Sequence, residues 1–408
     1  MSKIYSRVPL ISKIVLTNTL KKFLRRGIQA CFCSTTSQSS DTTEGETVTH
    51  RFSISNTNPG FLEGKFMATE KFGKLRIDVP FDIFIEPLNP DKYPEMNKMF
   101  VKILYDMQPE ETVDSSVLVA LRECYDFDMN IQDKTEFTAT GNFKSKVEYP
   151  VKCVVQLPMK FDLDITARGY KTHIQNMESQ TINLQVNSTR KTQGETTCTL
   201  KSIKCGRIEV DGNDCDVTVE KLLQGNSRFT VTGEGNITTD RLQGVDIECQ
   251  TDKGDISSTS VYGQNNSFHS NTGNIKLSNC HGKTEVKVKS GDLKIDSLEG
   301  DLIGSLEEGD TDLYVTKPEN VSMTTQKGDI KLKVQGDVSA SVDLQGSHIE
   351  YDRTLPFKDL KFTEDDPTSL QGTLGEVATG RISASTASGN ISVEAFDWLK
   401  SLNLSNKD

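Results

Sequence analysis

The feature that most constrains this chain is a glycine-led turn that returns about every 19 residues. In this turn, Gly is followed by Asp or Asn and in most copies by an aliphatic residue, as in Gly254-Asp255-Ile256. The copies begin at Gly235, Gly254, Gly273, Gly291, Gly309 and Gly328. Internal periodicity of this length is typical of stacked repeats, in which each repeat packs only on its neighbours.

A second series of glycines begins before the first at Gly206 and then alternates with it, again with members 18 or 19 residues apart. Its members are Gly206, Gly225, Gly244, Gly263, Gly282 and Gly300. Between the glycines, apolar and polar residues alternate, as in Ile275 and Leu277 around Lys276. Such alternation indicates strands with one buried face, and Gly-Asp or Gly-Asn supplies the turns. We therefore predict an all-β fold, a β-helix-like β-solenoid of about 19-residue repeats over 201–396. A β-sandwich or a propeller is the alternative.

The flanks of the repeat have a different pattern. Residues 50–200 read as a β-rich N-terminal region that covers the first coil, with one short helix at 113–123. Residues 350–380 read as a loop or an inserted hairpin, and 397–408 as a C-terminal cap or tail. Covered ends are expected because an open coil is an exposed sheet edge.

The first forty residues form a separate segment, followed by a linker at 41–49. Residues 1–40 contain seven of the 47 basic residues and no acidic residue, and they are rich in Ser and Thr. Their apolar residues recur at helical spacing, and no apolar run is long enough for a secretory signal. This pattern predicts a mitochondrial transit peptide and a mitochondrial location. A disordered basic N-terminus is the alternative.

Charge and cysteine content limit the possible partners. The net charge is −11, and without residues 1–40 there remain 40 basic against 58 acidic residues, which gives −18. Nucleic acid is excluded as a partner, because phosphates are neutralised by clustered Lys and Arg. No stretch approaches 18 apolar residues, so no membrane span is predicted. The nine cysteines lack C-x-x-C spacing and are predicted to be buried thiols in a reducing compartment.

The sequence contains no recognisable catalytic, cofactor-binding or metal-binding motif, so no such residue and no cofactor are predicted. The turn Asp residues invite a calcium hypothesis, but several turns carry Asn, and turn chemistry alone accounts for them.

Cys280-His281 is the one adjacent thiol–imidazole pair, and neighbours on a strand point to opposite faces. Trp398, the only tryptophan, is predicted to anchor the cap, with ligand stacking as the alternative.

The repeated GDI and GNI turns with alternating strands over about 200–345 resemble the bacterial β-solenoid domain called "putative adhesin". Two further stretches, FGKLRIDVPFDIFIEPLNPDKYP at 72–94 and the terminal GNISVEAFDWLKSLNL, resemble the animal protein group named family with sequence similarity 185, member A type. That resemblance extends along most of 50–408. It implies a β-solenoid with a non-enzymatic role.

These observations lead to one expected function and two alternatives. We expect a non-enzymatic scaffold or binding surface in mitochondria for a protein or glycan partner, with outward lysine ladders formed by Lys276, Lys287, Lys294, Lys331 and Lys333. The alternatives are a carbohydrate-active lyase or hydrolase and an extracellular adhesin. The adhesin alternative gives meaning to the glycosylation sequons at Asn187, Asn236, Asn265, Asn320, Asn390 and Asn403.

Overall fold

The computed structural model describes residues 50–51, 60–106, 114–144, 150–187, 196–362 and 368–396. Within this part of the chain, strands dominate, and a nine-residue helix is the one helical element. All the described strands belong to one hydrogen-bonded sheet, which winds into a solenoid. The predicted transit peptide, the linker and the C-terminal cap with Trp398 lie outside the described residues.

Seven long strands form the middle of the solenoid and stack in parallel, one coil after another. The first half of a coil and its second half form two faces, here called front and back. In β18 the two halves are continued by different strands. The seven are β12 (Thr197–Asn213), β13 (Asp216–Glu234), β14 (Ile237–Lys253), β15 (Ile256–Thr272), β16 (Ile275–Ser290), β17 (Leu293–Glu308) and β18 (Thr311–Lys327).

Inward-pointing side chains repeat in register from coil to coil and fill the space between the two faces. One such ladder on the front face consists of Ile237, Ile256, Ile275, Leu293, Thr311, Ile330 and Ile391. All seven are buried, and each fully buried Leu or Ile side chain contributes roughly 1.5–3 kcal/mol. The predicted all-β solenoid with a repeat of about 19 residues is confirmed.

Strands from the 50–200 region extend the same two faces. They are β1 (His50–Arg51), β2 (Phe61–Ala68), β3 (Phe72–Val79), β4 (Asp82–Pro87), β5 (Lys98–Tyr105), β6 (Tyr125–Ile131), β7 (Glu136–Phe143), β8 (Val151–Leu157), β9 (Lys160–Ala167), β10 (Lys171–Gln175) and β11 (Glu178–Asn187). Their order in space differs from their order in the chain. β3 lies between β7 and β9, and β4 lies between β8 and β10.

The N-terminal end of the solenoid is closed by antiparallel strands and by the helix. β2 and β5 pair antiparallel on the front face, and β6 pairs antiparallel with β7 on the back. The helix α1 (Ser115–Glu123) begins after Asp114, whose side chain accepts a hydrogen bond from Ser116 N at 3.1 Å. Leu118 and Leu121 of α1 are buried in the core, so the helix predicted at 113–123 is confirmed.

The C-terminal end repeats the intercalation seen near the N-terminus. Its strands are β19 (Ile330–Gln335), β20 (Ala340–Gln345), β21 (His348–Tyr351), β22 (Phe357–Phe362), β23 (Ser369–Leu374), β24 (Gly380–Ser388) and β25 (Asn390–Phe396). β24 lies between β18 and β20, and β25 lies between β19 and β21. β22 and β23 form an antiparallel pair, which confirms the hairpin expected within 350–380.

Candidate binding surface

The Gly-Asp and Gly-Asn turns form one corner of the solenoid, and their side chains bond one coil to the next. The Oδ1 atom of Asp255 accepts a hydrogen bond from Asn274 N at 2.7 Å, and Asn274 Oδ1 accepts one from Asp292 N at 2.9 Å. The same bond recurs at Asp216, Asn236, Asp292, Asp310 and Asp329. Because Asp and Asn serve equally as acceptors, the ladder requires no cation.

The glycines of these turns are explained by the closeness of adjacent coils. A Cβ atom on Gly309 would lie 2.6 Å from the carbonyl carbon of Gly291, and the backbone of Gly309 has a φ of 144°. A side chain at this position therefore meets both a steric conflict and an unfavourable backbone conformation. In the described part of the chain, no group of three or more His, Cys, Asp or Glu side chains is arranged to hold a metal ion.

The second glycine series marks the opposite corner, and the residues beside it form an outward row parallel to the solenoid axis. We call this the corner row. Successive members are register partners on neighbouring strands from Lys204 to Lys317. The row continues through Glu178 and Lys160 to Phe72 at the N-terminal end. Its ten residues are Phe72, Lys160, Glu178, Lys204, Gln224, Gln243, Tyr262, His281, Glu299 and Lys317.

The N-terminal half of the corner row borders a groove of about 590 Å³. Its lining consists of Phe72, Lys160, Glu178, Ser179, Gln180, Lys204, Cys205, Gly206 and Gln224. Phe72 is 63% exposed, which is unusual for a phenylalanine. Lys204 Nζ lies 3.3 Å from Glu178 Oε1. Six of the nine lining residues are polar or charged, so the groove offers one exposed ring within a largely polar surface.

An aromatic pair lies in the C-terminal half of the corner row. The rings of Tyr262 and His281 are stacked, with centroids 4.7 Å apart and planes inclined by 17°. His281 Nδ1 lies 3.4 Å from Glu299 Oε2, and Lys317 Nζ lies 4.0 Å from the same oxygen. Tyr262 is 41% exposed. The pair therefore presents a ring held in place by its neighbours on the next coils.

The structure separates the two members of the Cys280-His281 pair, as expected for neighbours on a strand. Cys280 points into the core, where burial raises the pKa of its thiol to about 11, while His281 belongs to the corner row. Burial also raises the pKa of the groove thiol Cys205 to about 12. At neutral pH both groups remain protonated, so neither supplies a thiolate nucleophile. The seven described cysteines are all free thiols.

The predicted lysine ladder is split between the two faces. Lys276, Lys294 and Lys331 follow one front-face row, in which Asp312 lies between Lys294 and Lys331. Lys287 lies on the back face and pairs with Glu285. These lysines do not form one basic surface, because acidic residues alternate with them.

The sequence alone does not predict the corner row as a binding surface, although it contains the pattern that produces the row. From Gln224 to Glu299, each member directly precedes a glycine of the second series. Any residue at that point of the repeat must lie on the same corner, because the repeats stack in register. The sequence pattern therefore contained the row, but not the groove, which depends on Phe72 from a remote part of the chain.

The fold and the glycines at its turns define the class of this protein. It is a parallel β-solenoid in which glycines occupy the corners of the coils. Within that class, the chain belongs to the Toastrack family, DUF4097, whose sequence profile matches residues 126–394. This match neither supports nor contradicts the resemblance to family with sequence similarity 185. In the described residues, no helix is long and apolar enough to cross a membrane.

Three solved bacterial structures resemble the chain over 82% of its length. A "putative adhesin" from Bacteroides fragilis NCTC 9343 is 12% identical with a TM-score of 0.25, and 96% of that chain is covered. A "putative cell adhesion protein" from Clostridium sporogenes ATCC 15579 is 9% identical with a TM-score of 0.18, and 99% is covered. A "putative adhesin" from Parabacteroides distasonis ATCC 8503 is 13% identical with a TM-score of 0.20, and 96% is covered.

Proposed function

We propose that this protein is a non-enzymatic scaffold in mitochondria that binds a protein or glycan partner along the corner row. The observation that carries the proposal is the groove, which combines the exposed ring of Phe72 with polar side chains on a rigid stack of coils. A site on strands holds its side chains more firmly than a site on loops. The resemblance to family with sequence similarity 185 supports the same proposal.

The chemistry of the groove favours binding over catalysis. Hydrolysis of a glycosidic bond generally uses two carboxyl groups placed on either side of that bond. Glu178 supplies the one carboxylate among the residues lining the groove, and it is paired with Lys204. The competing carbohydrate-active enzyme would be supported if the purified protein cleaved a polysaccharide and Glu178→Gln abolished that cleavage.

An extracellular adhesin is the second candidate, because all three solved structures carry an adhesion-related name. Two of the glycosylation sequons are engaged in the fold. The amide Nδ2 of Asn265 donates to Asp246 at 2.9 Å, and that of Asn320 donates to Asp301 at 3.1 Å. A glycan on either nitrogen would disturb these bonds, so these two sequons do not support this candidate.

Proximity labelling in cells tests the scaffold and its location together. The full-length chain and a version that lacks residues 1–40 each carry the labelling enzyme at the C-terminus. We expect the full-length form to label mitochondrial proteins and the shortened form to lose them. Labelling of secretory or surface proteins by both forms would overturn the mitochondrial location and favour the adhesin.

A further inference from the structure

The hydrogen-bonding character of the corner row is unbalanced toward donors. Seven of its ten side chains carry N–H or O–H groups, namely Lys160, Lys204, Gln224, Gln243, Tyr262, His281 and Lys317. Its two carboxylates already have partners within the row, since Glu178 faces Lys204, and Glu299 faces His281 and Lys317. The row is therefore best suited to a ligand that presents acceptors.

The amides at the centre of the row are available for such a ligand. Gln224 and Gln243 are exposed register partners on adjacent coils. Among the described residues, neither amide donates a hydrogen bond to another group of the protein. Tyr262 follows on the next coil and is 41% exposed. Two donors and a flat ring thus lie side by side along about 10 Å of the axis, given a strand spacing of ~4.8 Å.

The backbone along the sides of the solenoid cannot receive an added strand. In the middle coils, each strand is paired with a coil on either side, as β15 is with β14 and β16. Binding by strand addition needs an unpaired edge, and a middle coil offers none at the corner. An extended peptide at this row must therefore be recognised through the row's side chains.

We propose that the corner row binds a proline-rich segment of a partner protein in the polyproline II conformation. Such a segment exposes carbonyl acceptors, has few N–H donors and packs well against aromatic rings. Its repeat of three residues rises about 9.3 Å, and two coils of the solenoid rise about 9.6 Å. Carbonyls one ligand turn apart can therefore accept hydrogen bonds from Gln224 and Tyr262, which lie on alternate coils.

Two other polymers fit the row less well. A neutral glycan presents hydroxyl donors as well as acceptors, and the row's carboxylates are already occupied by its own basic residues. A nucleic acid would meet a protein of net charge −11, in which Lys204 and Lys317 are balanced by acidic neighbours. The donor-rich row and the matching repeat favour the polyproline segment.

This inference rests on the proposed scaffold function and is tested directly with purified full-length protein. The probe is a fluorescein-labelled deca-proline, and a labelled Gly-Ser decapeptide is its control. Binding is followed by fluorescence anisotropy for the wild type and for the variants Tyr262→Ala, Gln243→Ala and Phe362→Ala. Phe362 lies on β22, away from the row, and is 46% exposed, so it matches Tyr262 as an exposed aromatic. Circular dichroism melting verifies that every variant folds.

We expect deca-proline to bind and the Gly-Ser peptide not to bind. Tyr262→Ala should weaken binding about tenfold, because stacking on the ring and one hydrogen bond are lost. Gln243→Ala should weaken it several-fold, and Phe362→Ala should leave it unchanged. Three results would each overturn the inference: deca-proline does not bind, Tyr262→Ala binds it as tightly as the wild type, or chitohexaose displaces it from the same row. A protein partner found by proximity labelling and retained by Tyr262→Ala would refute the inference and leave the scaffold function standing.

Discussion

The glycine corner makes a quantitative prediction about the substitution Gly309→Ala. The added methyl group would lie 2.6 Å from the carbonyl carbon of Gly291 and closer still to its oxygen, so the two coils must separate by about an ångström. Separation lengthens the bonds between these two coils, such as Gly291 N to Glu308 O at 3.0 Å and Leu293 N to Asp310 O at 2.9 Å.

The expected cost follows from the terms at this corner. Two or three weakened hydrogen bonds cost about 1 kcal/mol each. The φ of 144° at Gly309 adds about 1 kcal/mol for a residue with a side chain. We therefore expect the free energy of unfolding to fall by about 3–4 kcal/mol. Gly336→Ala is the matched control, because no atom lies within 4 Å of its added methyl group, and it should stay within about 0.5 kcal/mol of the wild type.

Urea unfolding followed by circular dichroism measures both variants, with the change in midpoint multiplied by a shared slope. Hydrogen exchange supplies the local view, since a solenoid is stabilised mainly by contacts between neighbouring coils. Protection should fall first in β17 and β18. If Gly309→Ala unfolds at the same urea concentration as Gly336→Ala, close coil contact is not the reason for the glycine series.

Three further predictions concern the turns, the groove and the C-terminal end. Asp292→Asn should leave the free energy of unfolding in urea nearly unchanged, because an amide oxygen also accepts the bond from Asp310 N. Asp292→Ala should lower it by about 1 kcal/mol. Equal losses in the two variants would contradict the hydrogen-bond ladder. Burial raises the pKa of Cys205 to about 12, so its thiolate stays scarce from pH 7 to pH 9. Mass spectrometry after iodoacetamide treatment should therefore find Cys205 unmodified until urea is added. Rapid labelling of Cys205 in the native protein would refute this prediction. A chain ending at residue 379 loses β24 and β25, which leaves β18 and β19 with open edges. Its melting temperature should therefore fall, and a synthetic 380–396 peptide should restore it. An unchanged melting temperature would contradict the intercalated topology.

The corners could be predicted from the sequence because their causes are local. A glycine that must let two backbones touch, and an Asp or Asn that bonds the next turn, leave their mark in every coil. The alternation around Lys276 likewise revealed which residues point inward. The interchange of Asp255 with Asn274 was already visible, and the structure gives its reason, since each supplies one acceptor oxygen.

The intercalated strands could not be predicted, because their causes are remote in the chain. Alternation in β3 and β4 reveals two faces of a strand but not which strands lie beside them. Their neighbours come from the chain 60 to 90 residues later, and the contact is specific. Asp82, for example, accepts hydrogen bonds from Tyr170 N and Lys171 N at 2.7 and 3.0 Å. The groove was hidden for the same reason, since Phe72 reaches it only through this intercalation.

The two kinds of coil place different limits on how the molecule can vary. An intercalated strand must match two neighbours that are remote from it in the chain, as Asn390 does when its N–H bonds Asp329 at 2.7 Å. The ends of the solenoid therefore cannot be lengthened by repeating a single unit. A middle coil such as β15 has the preceding and following coils as its neighbours, so one unit of about 19 residues can be added or removed there. Because each middle coil contributes one residue to the corner row, the number of these coils sets the length of the proposed binding surface in steps of ~4.8 Å.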